Sequence, residues 1–360
     1  MTSTSAGPLN RRATIKDVAA LAGVSIATVS RVLSGKVPTT APAHAKVTRA
    51  AKELRYVANA HARALLSQGP RTVAILVPDV TVPFFAHVAH GVEQQAAEEG
   101  RICLIGSTNG DLEKELVIGA MMREQGVEAV ILVGGVVKSP TYRERMTDFA
   151  RALDASGSHL VLCGRPPLGK DAPVSVVEYD NTAGSHAITS HLLAAGHRRI
   201  LHLTGEPNHH TPVNRLEGYR RALHDHGYPY DEDLVLWRGF TRSAGAALMK
   251  QALHDQLDFT AVFAGNDLMA AGALDVLREA GIRVPEDVSL VGFDDIPLAT
   301  DLYPKLTTVH LPHEELGRMA VRMVVDRDEH TPVNSHVVLG THIVRRDSVR
   351  RRGGRPAAEV

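Results

Sequence analysis

Two groups of residues in this chain have the types and spacing to do chemistry. The first runs from Ser25 to Arg31. Ser25, Thr28 and Ser30 offer hydroxyls, and Arg31 offers a planar fork of N–H donors. Hydroxyls of this kind hold phosphate oxygens, while an arginine fork matches the paired O6 and N7 acceptors of guanine. The second group is spread through the body of the chain: Phe84-Phe85, Arg215 in NRLEGY, Phe240, Asn266-Asp267 after AVFAG, and Asp294 after SLVGF. Arginine, asparagine and aspartate supply donors and acceptors, and ring faces stack on C–H surfaces. Together they suit a ligand with vicinal hydroxyls. Aromatic residues are only 4% of the chain, so an adjacent pair at a strand end is more than filler, with one of the two rings packing in the core. Asn266 also has a plainer job available as a helix N-cap.

Other chemistry is not signalled. There is no G-x-S-x-G elbow, P-loop or G-x-G-x-x-G after a strand, so no enzyme activity and no cofactor are expected. His87, His90 and Glu93 share a helix face, and His202 accompanies His209-His210. A metal site needs more convergent ligands and a second shell, so the 19 histidines read as scattered surface residues and no metal is expected. Cys103 and Cys163 lie in apolar runs and read as buried free thiols. No apolar run approaches ~18 residues, which argues against a membrane span. The opening MTSTSAGPLN has no signal-peptide core, which points to the cytoplasm.

The Ser25–Arg31 group needs a scaffold, and Thr14 to Leu33 provides one. Thr14 is a natural N-cap, with Asp17 three residues on. Val18, Ala19, Leu21 and Ala22 give a first helix its apolar face, and Gly23 can supply a left-handed turn. Ser25 caps a second helix whose Val29, Val32 and Leu33 turn back onto the first, leaving Ile26, Ala27, Ser30 and Arg31 outside. Helix, glycine turn, helix fits both an ordinary αα-hairpin and a helix-turn-helix that lies in the major groove. A third helix follows at about 41–54, with Val47, Ala50, Ala51 and Leu54 at core spacing.

The words TIKDVAALAGVS, ATVSRVLSG and KVTRAAKELRYVANAHARAL carry the chain from an open choice to a family. In this combination and order they resemble the DNA-binding headpiece of the LacI/GalR repressors, and the resemblance continues to about Val349. It implies a domain plan: a disordered arm at 1–12, a headpiece at 13–56, a hinge and linker at 57–70, an effector-binding and dimerisation domain at 71–349, and a disordered basic tail at 350–360. It places Thr14, Ser25, Ile26, Ala27, Thr28, Ser30, Arg31, Asn59, Ala62 and Leu65 on DNA. Ile26 and Ala27 stand where the family varies with operator sequence; being apolar, they leave thymine methyls as partners. Asn59 caps a short hinge helix, and Leu65 is the wedge inserted between base steps of the minor groove. Where the family often has proline before the hinge asparagine, this chain has Ala58.

The family's effector positions fall on Phe84, Phe85, Thr211, Arg215, Phe240, Asn266 and Asp294. Gly164 carries no acid where the family often has one, and His209 does not stand in for the arginine of purine repressors. Both departures weaken any specific ligand assignment; it is the Arg215, Asn266 and Asp294 set, suited to hydroxyls, that favours a sugar or glycoside over a purine or nucleoside.

From Arg71 the texture supports a two-lobed body. Apolar strands at 72–77, 101–105, 128–133, 159–163, 199–203, 260–264 and 287–291 alternate with helices near 84–99, 112–125, 141–156, 181–195, 213–226, 242–254, 267–280 and 313–327. That is the pattern of α/β parallel sheets covered on both faces. The resemblance implies a periplasmic-binding-protein-like pair of lobes, about 71–178 with 310–328 and about 179–309 with 329–349. Their crossings fall near 176–182, 306–311 and 328–335, and ligands bind at the strand carboxyl ends.

Net charge is zero but unevenly spread. Residues 1–70 carry ten Lys/Arg against two Asp/Glu, and 345–360 carry six against two, so the remainder is acidic. A basic head on an acidic body is what phosphate contact requires. The expected protein is a DNA-binding repressor acting on a pseudo-palindromic operator as a homodimer or tetramer, its dimer face including the helices near 84–99 and 267–280 and neighbouring strands. The alternatives are a purine-corepressed regulator and a sugar-binding protein without DNA function.

Overall fold

The computed structural model describes residues 13–34, 41–54, 56, 71–326 and 335–352. The chain divides into two units, 1–70 and 71–360. The expected arm at 1–12 lies outside the described residues, as do the hinge positions Asn59, Ala62 and Leu65.

The first unit is three helices: α1 (Ile15–Ala22), α2 (Ile26–Ser34) and α3 (Ala41–Glu53). The Asp17 carboxylate accepts from both Thr14 N and Thr14 Oγ1 at 2.7 Å, fixing the start of α1. Gly23 ends α1 at φ +64°, where a side chain would be strained. Val18, Ala19, Ala22, Val29, Val32, Val47 and Ala50 form the core. Leu21 and Leu33, expected inside, are 48% and 39% exposed. A core this small is filled by valine and alanine, and the larger leucines fall at its rim.

The second unit has two lobes. In the first, β1 (Thr72–Val77), β2 (Ile102–Ser107), β3 (Ala129–Val133), β4 (His159–Cys163), β5 (Val174–Tyr179) and β11 (His336–Leu339) form one sheet in the order β11-β5-β4-β3-β1-β2. All its pairings are parallel. It is flanked by α4 (Pro83–Glu98), α5 (Leu112–Glu124), α6 (Pro140–Ala155) and α12 (His313–Asp326). Along β1 the side chains alternate between faces. Val73, Ile75 and Val77 pack into the core that holds Val88 and Leu316, and Ala74 and Leu76 pack into the one that holds Met146 and Phe149. Burial on both faces explains why these strands read as unbroken apolar runs.

In the second lobe, β6 (Ile200–Thr204), β7 (Val235–Trp237), β8 (Ala261–Ala264) and β9 (Ser289–Val291) form a parallel sheet in the order β7-β6-β8-β9. Around it lie α7 (Asn181–Ala194), α8 (His210–Asp225), α9 (Arg242–His254), α10 (Asp267–Glu279) and the short α11 (Leu298–Asp301). An antiparallel ribbon of β10 (Thr308–His310) and β12 (His342–Val344) joins the lobes.

Two boundaries differ from expectation. The third crossing was expected at 328–335, of which only residue 335 is described. β11 pairs with β5, so 336–339 belongs to the first lobe and the chain changes lobe after Leu339. Two short alternating strands, β11 and β12, lack the apolar run that marks the others. Residues 350–352, expected in the disordered tail, are held in place. Arg350 N donates to Ser289 Oγ (3.0 Å) and Arg352 N to Ala195 O (2.7 Å), which pin them to the second lobe.

Close helix packing supplies a test. A Cβ on Gly91 of α4 would run into the Glu314 carbonyl of α12, whereas one on Gly239 meets nothing within 4 Å. Gly91→Ala should destabilise the body by about 1–3 kcal/mol, and Gly239→Ala by less than about 0.5 kcal/mol, in urea denaturation. Equal effects would show that the α4–α12 contact can open at no cost.

Candidate functional site

Each sheet has a point where its strand order reverses, and the two points face one cleft. In the first sheet β1 is flanked by β2 and β3; in the second, β6 is flanked by β7 and β8. Loops leaving such strands diverge and open a crevice at the carboxyl ends. Pro78 and Gly134 follow β1 and β3, Glu206 and Asn266 follow β6 and β8, and all four line a cavity of about 340 Å³.

One aromatic ring lies over each reversal. A Cβ on Gly134, itself at φ +95°, would meet the Phe85 ring at 3.0 Å. Cβ atoms on Gly205 and Gly265 would meet the Phe240 ring at 2.6 and 2.9 Å. Glycine at these strand ends is what lets the rings settle. Phe84 points inward, edge-on to Phe85, Tyr179 and His313 with centroids 5.2, 6.0 and 5.2 Å away, so the pair splits into a core ring and a cleft ring.

The polar floor is built on Arg215. It is 3% exposed and stands on α8. Its Nε donates to Asn181 Oδ1 (2.9 Å), one terminal nitrogen donates to the Gly265 carbonyl, and the other donates to Asp294 Oδ1 (3.1 Å). The guanidinium lies 3.7 Å from the centroid of Phe293. Burial raises the Asp294 carboxyl to about 6 against the pull of Arg215. Asn266 does both jobs foreseen for it: Oδ1 caps α10 by accepting from Met269 N (2.9 Å), and the residue lines the cleft. Thr211 completes the wall. All seven residues expected at the effector site line this one cavity.

Asp267, next to Asn266, turns away. It is wholly buried, accepts from Thr308 Oγ1 (2.6 Å) and Ile296 N (2.9 Å), and burial raises its pKa well above the ordinary value. Tyr179, Glu206 and His209 also line the cleft without having been picked out as ligand residues. Tyr179 ends β5, whose run VSVVEY is broken by Ser175 and Glu178. No group of His, Cys, Asp or Glu among the described residues is placed to hold a metal. Several histidines expected on the surface are inside. His202 is fully buried, stacks on Phe263 at 4.4 Å, and is held neutral with a pKa pushed down to about 4 by burial. Cys163 is buried and Cys103 half-buried, both free.

In the headpiece, Thr28 N donates to Ser25 Oγ (3.2 Å), and the two hydroxyls lie 2.9 Å apart, so they brace the start of α2. Ile26, Ala27 and Arg31 are exposed along one side of α2, and Ser30 is half-buried.

Residues 14–59 match the bacterial regulatory proteins of the lacI family, and residues 189–349 match the periplasmic binding protein-like domain. The transcriptional regulator CelR of Thermobifida fusca is 38% identical over 344 residues, 94% of this chain and 98% of that one. The chain belongs to the lacI family. Within it, the ribose operon repressor of Escherichia coli K12 is 34% identical over 88% of this chain and 93% of its own length. A solved CelR–cellobiose complex superposes with a TM-score of 0.69 at 37% identity, covering 94% of this chain and all of that one. This lacI-family chain is a DNA-binding transcriptional regulator. Among its described residues, no helix is long and apolar enough to cross a membrane.

The floor carboxylates make stability depend on pH in a defined direction. Asp294 and Asp267 have raised pKa values, so the folded body holds protons that the unfolded chain releases. Both contributions are whole below the ordinary carboxyl range and fade as pH rises, that of Asp294 through about 6. Asp294→Asn should reduce the stability lost between pH 4 and 6 by roughly 1–3 kcal/mol, read by urea denaturation at stepped pH. An unchanged profile would mean that Asp294 is ionised throughout.

Proposed function

We propose that the protein is a homodimeric repressor whose hold on a pseudo-palindromic operator is released by a sugar or glycoside bound in the cleft. The observation that carries this is the floor itself. Arg215, Asn266 and Asp294 present donors and acceptors between the rings of Phe85 and Phe240, a set suited to vicinal hydroxyls with apolar ring faces. Sugar-named relatives agree with it, since CelR is known with cellobiose and another relative is named for the ribose operon.

A route to the operator runs through Asp294. Its backbone N donates to Val309 O (2.9 Å), and Leu311 N donates to its carbonyl (3.3 Å), so it is sewn to the second crossing. Asp295 beside it accepts from Arg346 (2.6 Å) and His310 (2.9 Å), which follow and belong to the joining ribbon. Both aspartates sit at positive φ, +108° and +60°, a backbone state that persists only where neighbours enforce it. A ligand that draws on the Asp294 carboxylate therefore acts on the lobe connection directly. It shifts the protein only to the extent that it favours one lobe arrangement over another.

Within the expected dimer face, of the helices near 84–99 and 267–280 with neighbouring strands, the strand side offers the apolar surface. α10 is largely buried within its own lobe. Exposed apolar side chains gather on the edge strand β2 (Ile102, Leu104, Ile105) and on α5 (Val117, Met121). An unpaired apolar edge is a place where chains associate. Ile105→Asp with Met121→Glu should turn the dimer into a monomer in sedimentation; a persisting dimer would place the interface elsewhere.

On DNA, Arg31 reads a guanine, Ile26 and Ala27 meet thymine methyls, and Ser25, Thr28, Ser30 and Thr14 hold phosphates, with Asn59, Ala62 and Leu65 at the hinge. In gel shifts with pseudo-palindromic probes, binding should be specific, steeply salt-dependent and weakened by a sugar. Arg31→Ala should cost about 1–3 kcal/mol and relax one base position. No specific shift would sink the repressor, and release by purine nucleosides alone would sink the sugar.

A further inference from the structure

Four histidines meet where the joining ribbon passes between the lobes. His310 ends β10 and His342 opens β12, so both stand on the ribbon, with ring centroids 4.8 Å apart. His313 opens α12 and His87 stands on α4, so both belong to the first lobe; their rings stack at 5.9 Å. His310 and His313 face each other across the joint at 6.2 Å. Three separate segments thus set a chain of imidazole rings across the lobe connection. None of the four lines the cleft cavity.

The innermost ring has no room for a charge. His313 is 8% exposed, with Phe84 edge-on at 5.2 Å. Its Nε2 is buried and has no hydrogen-bond partner among the described residues. A proton on that nitrogen would find no acceptor, so the packing seen here requires a neutral ring. Burial first, then the His310 and His87 rings, pushes its pKa down to about 4, against the pull of Asp295 and the Asp294 main chain. The other three rings reach solvent. Histidine is the side chain whose charge changes roughly between pH 5 and 8, so this is the range in which the joint can gain charge.

Few acids stand ready to answer that charge. His310 Nδ1 donates to Asp295 Oδ2 (2.9 Å), but Asp295 is already paired with Arg346 (2.6 Å). His87 has Glu314 at 3.9 Å. His342 has the His310 ring beside it and pairs with no acid among the described residues. Other charges on the packed elements are committed elsewhere. The Asp294 carboxylate belongs to Arg215. On α4 and α12, His90 pairs with Glu93, Glu98 with Arg318 and Glu315 with Arg322. On α7, His186 pairs with Asp225, and His191 lies near Arg345 and Arg351. With the outer rings neutral, the joint holds a slight excess of acid. With them charged, it holds an excess of positive charge on both sides of the contact, and like charges this close repel.

That repulsion works against a small set of main-chain bonds. At the joint, Asp294 N donates to Val309 O (2.9 Å) and Leu311 N to Asp294 O (3.3 Å). Where the lobes touch, Lys138 N donates to Asn208 O (2.7 Å), His210 N donates to Val136 O (3.0 Å), and Val137 and His209 form a bridge.

We propose that His87, His310, His313 and His342 form a proton-sensitive joint: acid charges the outer rings, the ribbon is driven off the start of α12, and the lobe arrangement seen here loosens. Acidity then acts on the same lobe connection as a cleft ligand, without occupying the cleft.

The test is hydrogen–deuterium exchange on the full-length protein at about pH 7.5 and about pH 5.5. Rates are corrected for the intrinsic pH dependence of amide exchange and referred to β3 in the first-lobe core. On acidification, protection at 308–311, at 342–344 and at Lys138 and His210 should fall about ten-fold or more relative to β3. His87→Gln with His310→Gln and His342→Gln should hold that ratio within about two-fold between the two pH values. This variant keeps the Asp294 and Asp267 carboxyls, so a loss that persists in it belongs to them and overturns the proposal. His342 is exposed, so His342→Arg adds a permanent charge without disturbing the core. It should lower ribbon protection several-fold already at pH 7.5, and parent-like protection there would also overturn the proposal. So would a parent protein whose ribbon protection does not change with pH.

Discussion

A buried guanidinium is the constraint on which the regulatory body depends. Arg215 stands at 3% exposure in a floor where an unpaired cation would cost several kcal/mol. Every end of its fork is therefore claimed: by Asn181 at the start of α7, by the Gly265 carbonyl at the end of β8, and by Asp294 past the end of β9. Three elements far apart in sequence are tied together by one side chain, in addition to the pairing of β8 with β9. Phe293 lies under it, and the Gly265 main chain must come close enough to accept, which an unbranched backbone beneath the Phe240 ring permits. The recognition floor and the lobe's internal order are thus one object.

The same side chain explains why the corner at Asp294 and Asp295 tolerates its conformation. Two successive non-glycine residues at positive φ would relax if left alone. Here the Asp294 carboxylate is held by Arg215, its backbone by Val309 and Leu311, and the Asp295 carboxylate by Arg346 and His310. Burial alone would raise Asp295; the bonds from Arg346 and His310 hold it below the ordinary carboxylate range. Ligand chemistry, strain and the joining ribbon converge within two residues.

How much of this was readable beforehand varies with the physical signal. The headpiece is local, and its cap at Thr14, turn at Gly23 and exposed Ile26, Ala27 and Arg31 follow from short-range rules. Leu21 and Leu33 deceived because they are apolar in a core too small to take them. In the body, strands buried on both faces announce themselves as apolar runs, whereas β5, β10, β11 and β12 alternate or are very short and give little signal. That is why the return to the second lobe after Leu339 was misplaced. The cleft residues were accessible because they follow apolar strands whose ends can be read from the sequence; the strand order that sets them at reversal points could not be. The resemblance then selected which of them mattered. Tyr179, the Arg165–Glu115 pair and the histidines of the joint could not be foreseen, since each depends on distant segments meeting. Gly164-Arg165 looked only like a missing acid; Arg165 proves to be buried and paired with Glu115.

One feature of the cleft bears on how such proteins diversify. The contacts that bring the lobes together, Lys138 to Asn208 and His210 to Val136, are made by main-chain groups, as is the bridge between Val137 and His209. Main-chain groups are the same whichever side chains they carry. The rings, amides and carboxylates that choose a ligand can therefore be exchanged around an unchanging point of contact.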